Sequence, residues 1–232
     1  MLVYGRNVAK EILNNNKKVS KIYLQEDFSD KDINSLIEKS NIKPVYLNKK
    51  EISKFDKFSH QGIILDIEDF CYSNYRDFLD IPDAKIVILD HLEDPHNLGA
   101  IVRTCEAAGI TGIIIPKDRS VDVNSTVMKT SAGALENMHI AKVTNLVTVI
   151  DELKENGFWI VGTGLESSTD YRDIDYSGKI ALIIGNEGKG MSKSVMESCD
   201  YIAKIPMYGK INSLNASVAA GIMIYEVIAL DK

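Results

Sequence analysis

Unbroken apolar runs recur in the last 150 residues of the chain. They are Ile86-Val-Ile-Leu89, Gly112-Ile-Ile-Ile115, Phe158-Trp-Ile-Val161, Ile180-Ala-Leu-Ile-Ile184 and Tyr201-Ile-Ala-Lys-Ile205. Such runs are expected of strands buried on both faces of a parallel sheet. Helical spacings fall between them, over residues 97–108, 122–131, 145–156 and 192–199. The last helix is expected over 213–230 and is apolar nearly all round: Leu214, Val218, Ala219, Ile222, Met223, Tyr225, Val227 and Ile228. A helix of that kind is buried on most sides, and in a chain this short a second subunit is one way to bury it.

The first 70 residues alternate shorter elements. Gly5 to Asn15 has helical spacing at Val8, Ile12 and Leu13; Lys21 to Gln25 predicts a strand. Asp30 to Lys39 predicts a helix with Asp30 as its cap and Ile33, Leu36 and Ile37 on one face. Pro44–Leu47 and Gly62–Ile67 predict further strands. Residues 68–83 mix acids with aromatics and end in Pro82, which predicts a linker with a short helix at Tyr75–Leu79. The expected organisation is therefore α/β throughout: a small domain over 1–70, a linker over 71–83 and a parallel-sheet domain over 84–232.

Charge changes this picture only locally. The chain carries a net −6, with 12 Lys+Arg against 11 Asp+Glu in residues 1–70 and 15 against 22 in residues 71–232. Any grip on a polyanion must come from local patches and not from the overall field. Cys71, Cys105 and Cys199 are widely spaced with no CxxC pair, which argues against a zinc ribbon or a disulfide framework and for a reducing, cytoplasmic setting. No secretory signal is visible at the N-terminus, and the Leu214–Leu230 stretch is too short and too polar to span a bilayer.

Three blocks carry the candidate chemistry, each where an apolar run ends, which is where open α/β sheets bind ligands. The first is Asp94-Pro-His-Asn97-Leu-Gly99-Ala-Ile-Val-Arg103. Asn97 is placed to cap a helix, and capping alone would account for it. Gly99 and Arg103 share a helix face, so Arg103 reaches back over a vacant spot. A helix start, a gap and an Arg fork suit a phosphate, although an ion pair to Glu106 or Asp94 would also explain Arg103. The second block, Ile183-Ile-Gly185-Asn186-Glu187-Gly188-Lys-Gly190, puts glycines where backbone can approach a ligand, or where a tight turn needs them. It is neither a Walker A loop nor a GxGxxG fingerprint, and Gly162-Thr163-Gly164 lacks the third glycine. The third is Ile205-Pro206-Met207 followed by Asn212-Ser213-Leu214-Asn215-Ala216-Ser217, with Asn212 or Ser213 as the expected cap of the last helix. His96 has no partners at metal-ligand spacing beyond Asp94, so no metal site is expected, and His60, His91 and His139 form no triad.

In order, content and spacing, these blocks resemble the three motifs of the SpoU/TrmH (SPOUT) family of RNA 2′-O-ribose methyltransferases. Gly5-Arg6-Asn7-Val8 and His60-Gln61-Gly62 resemble the family's N-terminal substrate-binding domain, and Lys129-Thr-Ser-Ala-Gly133-Ala134 also matches. Cys105, Ala216 and Met138-His139 depart from the pattern without touching the proposed chemistry. The resemblance implies S-adenosyl-L-methionine as methyl donor, bound in a deep C-terminal trefoil knot, and an obligate homodimer through the C-terminal domain. The cofactor would be held by backbone around Thr163, Gly164, Gly185, Ile205, Met207 and Leu214. Within the family the two-domain layout resembles the bacterial enzymes that methylate a guanosine of 23S rRNA; those acting on a tRNA D-loop guanosine come next.

A ribose 2′-OH must lose its proton as it attacks a sulfonium methyl. Arg103 is the expected centre of that chemistry, with Asn97, Ser213 and Asn215 orienting it, the ribose and a phosphate. The family's corresponding Arg has been proposed as the base. Because Arg is effectively never deprotonated, a cationic clamp on phosphate and alkoxide is chemically easier, with Glu187 orienting Arg103 or accepting the proton. A ribosome-assembly factor that retains the fold and binds RNA without catalysis is the rival class. An unrelated nucleotide-binding α/β hydrolase lacks its nucleophile elbow or P-loop.

Overall fold

The computed structural model describes residues 1–15, 18–55, 60–164, 169–186 and 188–229. They divide into two compact units: Met1–Cys71 with Val123–Gly133, and Tyr72–Asp122 with Ala134–Lys232.

The smaller unit runs β1 (Leu2–Tyr4), α1 (Arg6–Asn14), β2 (Val19–Gln25), α2 (Lys31–Ser40), β3 (Val45–Leu47), α3 (Lys49–Ile52) and β4 (Ile63–Ile67). Among the described residues these strands form a four-stranded sheet in the order β1-β4-β2-β3, antiparallel except for the β2–β3 pair. The apolar spacing of α1 buries Val8, Ala9, Ile12 and Leu13. Asp30 caps α2 as expected, accepting from the Ile33 N–H at 3.2 Å. Ile22, Ile33, Ile63 and Ile64 are fully buried at the centre of this unit.

The larger unit opens with β5 (Lys85–Asp90), α4 (Pro95–Ala108) and β6 (Gly112–Pro116). The next helix, α5 (Ser125–Ser131), groups with the smaller unit. The larger unit resumes with β7 (Ile140–Val143), α6 (Leu146–Glu155), β8 (Trp159–Thr163), β9 (Thr169–Asp170), β10 (Ile180–Gly185), α7 (Lys193–Glu197), β11 (Tyr201–Lys204) and α8 (Ala216–Val227). Among the described residues the strands make a seven-stranded sheet, ordered β7-β6-β5-β10-β8-β11-β9, with every pair parallel. Every residue of β5 and β6 is buried, as their unbroken apolar runs require. From β5 the chain steps outward through β6 to β7, then continues on the far side of β5 with β8. Strand β10 then enters between β5 and β8. The direction of winding thus reverses between β5 and β10, and the crevice beyond the carboxyl ends of those two strands is the switch point of the sheet.

Of residues 71–83, expected to be a linker, those from Tyr72 onward group with this unit and pack on its sheet. Ser73 N–H donates to Ile140 O at 2.8 Å, and a 3-10 turn at Tyr75–Phe78 seats Phe78 against Gly112, where a Cβ would come 2.5 Å from the ring. Tyr75 and Arg76 both bind Glu152, at 2.5 Å and at 2.7 and 3.0 Å.

Helix α8 is shorter than its apolar pattern predicts. It buries Ala216, Ala220, Met223, Ile224 and Val227, and leaves Val218 and Tyr225 about half exposed, at 51% and 52%.

Candidate active site

Asp94, not Asn97, caps α4. Its carboxylate accepts from the His96 N–H at 2.9 Å, and Pro95 supplies a first helical residue that has no N–H to satisfy. Asn97 therefore falls inside the first turn, where it is 6% exposed. The expectation that Asn212 or Ser213 caps the last helix is likewise corrected. Asn215 does so, with its side-chain oxygen accepting from Ser217 N at 2.9 Å, Val218 N at 3.4 Å and Ser217 Oγ at 2.6 Å. Its amide nitrogen remains available, and it donates to Asn97 Oδ1 at 3.0 Å. One side chain thus caps α8 and ties its N-terminus to that of α4, joining the first and third sequence blocks.

The second block is tied to the end of β5. Asn186 and Gly190 close the loop with reciprocal backbone bonds of 3.0 and 2.9 Å. The Asn186 side chain accepts from Gly188 N at 2.9 Å and donates to His91 O at 2.9 Å. Asp90, only 1% exposed, accepts from Ser192 N at 2.6 Å and contacts the His91 ring. Gly185 is required by packing: a Cβ there would sit 2.5 Å from Met191 N and 2.8 Å from Gly190 O. Gly162 and Gly164 instead face side chains, a Cβ there coming 2.6 Å from Met191 and 2.8 Å from Ile202.

Thr163 ends β8 with Gly164 just beyond it, and Ile205 to Met207 follow β11, so both segments lie at the same carboxyl edge as Gly185. Thr163 Oγ1 donates to Ile183 O at 3.0 Å, and Gly164 N–H to Ala203 O at 3.0 Å. Thr163, Gly164, Gly185, Ile205 and Met207 are half-buried, while Ser213 and Leu214 are exposed. The parallel register thus collects all six expected cofactor-binding residues at one edge or in the loop leaving it.

Arg103 lies on the exposed side of α4, in line with His96 and Ala107, while Gly99 is buried. Among the described residues it has no hydrogen bond or ion pair, so neither Glu106 nor Asp94 neutralises it. The structure brings together Asn97 and Asn215 but no described bond joins Arg103 or Ser213 to them. Glu187 lies outside the described residues. Among those described, no group of three His, Cys, Asp or Glu is placed to hold a metal ion. The Cys199 thiol, behind Gly162, is pushed up to about 11 by burial, and burial also raises the Cys105 thiol, so neither is a ready nucleophile.

Sequence reasoning missed Asp90, Asn186 and His91 as the braces of this edge. Asp90 ends an apolar run and carried a signal; the Asn186–His91 bond spans 95 residues and carried none.

A parallel α/β sheet with a topological switch point between β5 and β10 is a ligand-binding class of fold. Comparison with known proteins makes it specific. Residues 84–225 match the model of the SpoU rRNA Methylase family, and residues 2–73 match that of the RNA 2′-O ribose methyltransferase substrate-binding domain. The chain belongs to the SpoU/TrmH family of methyltransferases. A Staphylococcus aureus (strain COL) protein with the provisional name of TrmH family tRNA/rRNA methyltransferase is 42% identical over 97% of this chain and 94% of its own length. A Staphylococcus saprophyticus relative, named in the same way, is 43% identical over 98% and 94%. The AdoMet-bound rRNA methyltransferase of Sinorhizobium meliloti superposes with a TM-score of 0.78 at 27% identity, covering 99% of this chain and 87% of that one. The SpoU methyltransferase AviRb of Streptomyces viridochromogenes shares the fold, with a TM-score of 0.82 at 24% identity over 100% and 90%.

Proposed function

We propose that the chain transfers a methyl group from S-adenosyl-L-methionine to a ribose 2′-OH of RNA, a guanosine of 23S rRNA being the first substrate to test. The observation that carries this reading is the Asn97–Asn215 bond at 3.0 Å, which sets two helix N-termini side by side within the family's motifs. Helix N-termini favour anions, whether a phosphate or a developing alkoxide.

The cofactor fits the residues present. Half-buried backbone at Thr163, Gly164 and Gly185, with the apolar residues Ile205, Met207 and Leu214 in the loop that leaves β11, suits a flat apolar base with a polar rim. When bound, S-adenosylmethionine supplies an electrophilic methyl. Arg103, which makes no ion pair with any described residue, clamps a phosphate and the alkoxide forming at the 2′-oxygen. Asn97 and Asn215 hold the ribose side of the site rigid, Ser213 orients the sugar, and Glu187 takes the proton or aligns Arg103. We place the protein in the cytoplasm, with RNA recognised by residues 1–70, residues 71–83 joining the two parts, and methyl transfer carried out by residues 84–232.

Two further features belong to this reading. The strand order, with β10 inserted between β5 and β8, supports a knotted C-terminal segment. Val218 and Tyr225 on α8, with Leu214 before it, present apolar surface that a homodimer through this domain would cover. No helix is long and apolar enough to cross a membrane among the described residues.

The test is transfer of radiolabel from S-adenosylmethionine to RNA from a strain lacking the gene, followed by mapping of the site. A 2′-O-methylated 23S guanosine supports the first substrate and a tRNA product the second. Tight RNA binding without transfer would leave the assembly-factor reading.

A further inference from the structure

The smaller unit holds a cleft of about 530 Å³ that the methyl-transfer chemistry does not use. It forms where the turn after β2 meets the turn before β4, lined by Arg6, Gln25, Asp27, Phe28, His60 and Gln61. The two turns are locked together. Gln25 N–H donates to Gly62 O at 2.9 Å, and Phe28 N–H to Gln25 O at 2.9 Å. Gly62, at φ +83°, lets the chain pass so close that a Cβ would come 3.0 Å from the Phe28 ring. Gln61 stands at φ +52°, a left-handed conformation that costs a non-glycine residue free energy and so persists only where its surroundings enforce it.

That strain places both ends of Gln61 on Arg6. Its side-chain oxygen accepts the Arg6 N–H at 2.9 Å, at a helix start where Gly5 offers no capping side chain, and its carbonyl accepts Arg6 Nε at 3.3 Å. The guanidinium so held lies 5.1 Å from the centre of the Phe28 ring. On the same cleft, exposed Asp27 accepts from Gln25 Nε2 through Oδ1 at 2.6 Å, leaving Oδ2 and a second lone pair of Oδ1 for a ligand.

An inorganic anion suits this cleft poorly. Among the described lining residues Arg6 is the one guanidinium, already bound to Gln61 and 3.8 Å from Asp30, and Asp27 would repel negative charge. An aliphatic ligand suits it no better, since the lining is mostly polar. A planar, uncharged ring with hydrogen-bond donors on its edge meets every requirement: it stacks on the arginine–aromatic platform and donates to a carboxylate. We infer that the cleft receives one unpaired nucleobase of the RNA substrate, with guanine preferred because two adjacent N–H donors on its pairing edge match one carboxylate. This rests on the RNA reading above. Unpaired bases are the part of RNA that proteins read in this way, by stacking and by their pairing edges.

The test uses the full chain without S-adenosylmethionine and measures fluorescence anisotropy with 12-nucleotide single-stranded RNAs. One is all uridine and one carries a single central guanosine. The wild type should bind the guanosine strand about fivefold or more tightly than the uridine strand. Asp27→Asn, an isosteric change at an exposed site, should erase that preference. Phe28→Ala should weaken the guanosine strand about tenfold. Binding of both strands within twofold of each other by the wild type, or a preference untouched by Asp27→Asn, overturns the inference. Methyl transfer to cellular RNA, run in parallel, separates the two readings. Asp27→Asn with wild-type kcat and KM sinks the cleft alone, whereas a wild type that transfers no methyl sinks the proposed function alone.

Discussion

The carboxyl edge of the larger sheet and the cleft of the smaller unit are built from different materials. At the sheet edge the work is done by backbone: a Cβ on Gly185 would lie 2.4 Å from the Gly190 carbonyl carbon, and one on Gly162 or Gly164 would lie 2.6 or 2.8 Å from the side chains of Met191 and Ile202. Asn186 and Asn215 serve mainly to hold loops and helix ends in place. In the cleft the surfaces are side chains, Arg6 on Phe28 with Asp27 and Gln61 at the margins. A backbone-built edge suits a constant cofactor, because it recognises shape and changes little with substitution. A side-chain cleft suits a variable sequence, because each residue can be exchanged separately. Substitutions at the edge should therefore cost fold and turnover together, and those in the cleft should cost RNA selection alone.

Arg103→Ala gives the sharpest contrast. It should lower methyl transfer by about 10²–10³-fold or more, the usual loss when a preorganised charge-stabilising donor is removed. Affinity for S-adenosylmethionine, measured by calorimetry, should stay within a few-fold. Equal loss of both would make Arg103 part of the cofactor site. Arg103→Lys should also fail if the planar fork is needed.

Gly185→Ala comes next and breaks the comparison from the other side. Overpacking of this kind costs about 1–3 kcal/mol. A urea melt should show that loss, and cofactor affinity should fall with it. A variant of wild-type stability with intact binding would mean that the loop yields freely.

Asn215→Ala should cost about 1–2 kcal/mol through the lost cap and the lost bond to Asn97. A double-mutant cycle with Asn97→Ala sharpens this: the two losses should not add, whereas additivity would mean that their bond does nothing for the fold.

The smallest effect is chemical. At pH 8 a maleimide should label exposed Cys71 readily and spare Cys105 and Cys199, whose thiols burial holds protonated. The Cys199 thiol, held at about 11, should react only as pH rises toward that value. Labelling of Cys199 at the rate of Cys71, by mass spectrometry, would mean that the Gly162 region opens in solution.

Much of this fold was legible in advance, and for a definite reason. Strands β5, β6 and β10 are buried on both faces, so their sequences are unbroken apolar runs that resemble nothing else. Strand β7 was missed because Lys142 interrupts it, paired to Asp122 across a gap no local pattern reveals. The start of α8 was misplaced because Asn212, Ser213 and Asn215 are all competent caps, and only the bond from Asn215 to Asn97 decides among them. Asn97 was misjudged for the opposite reason: Asp94 followed by Pro95 is a complete helix start, and it stands three residues earlier. The site residues were legible as motifs and not as geometry. Asn97 and Asn215 lie 118 residues apart in sequence, and only the sheet's crossover brings them together. Nor does composition place α5 with the smaller unit, since its sequence neighbours on both sides belong to the larger one.

Nucleoside analysis of the reaction product tests the central claim most directly. After incubation with S-adenosylmethionine carrying a labelled methyl, RNA from a strain lacking the gene should yield, on complete digestion, label in a 2′-O-methylated nucleoside, with guanosine expected. Arg103→Ala should cut that label about 10²-fold or more. Label on a base, or label undiminished in Arg103→Ala, would contradict the account.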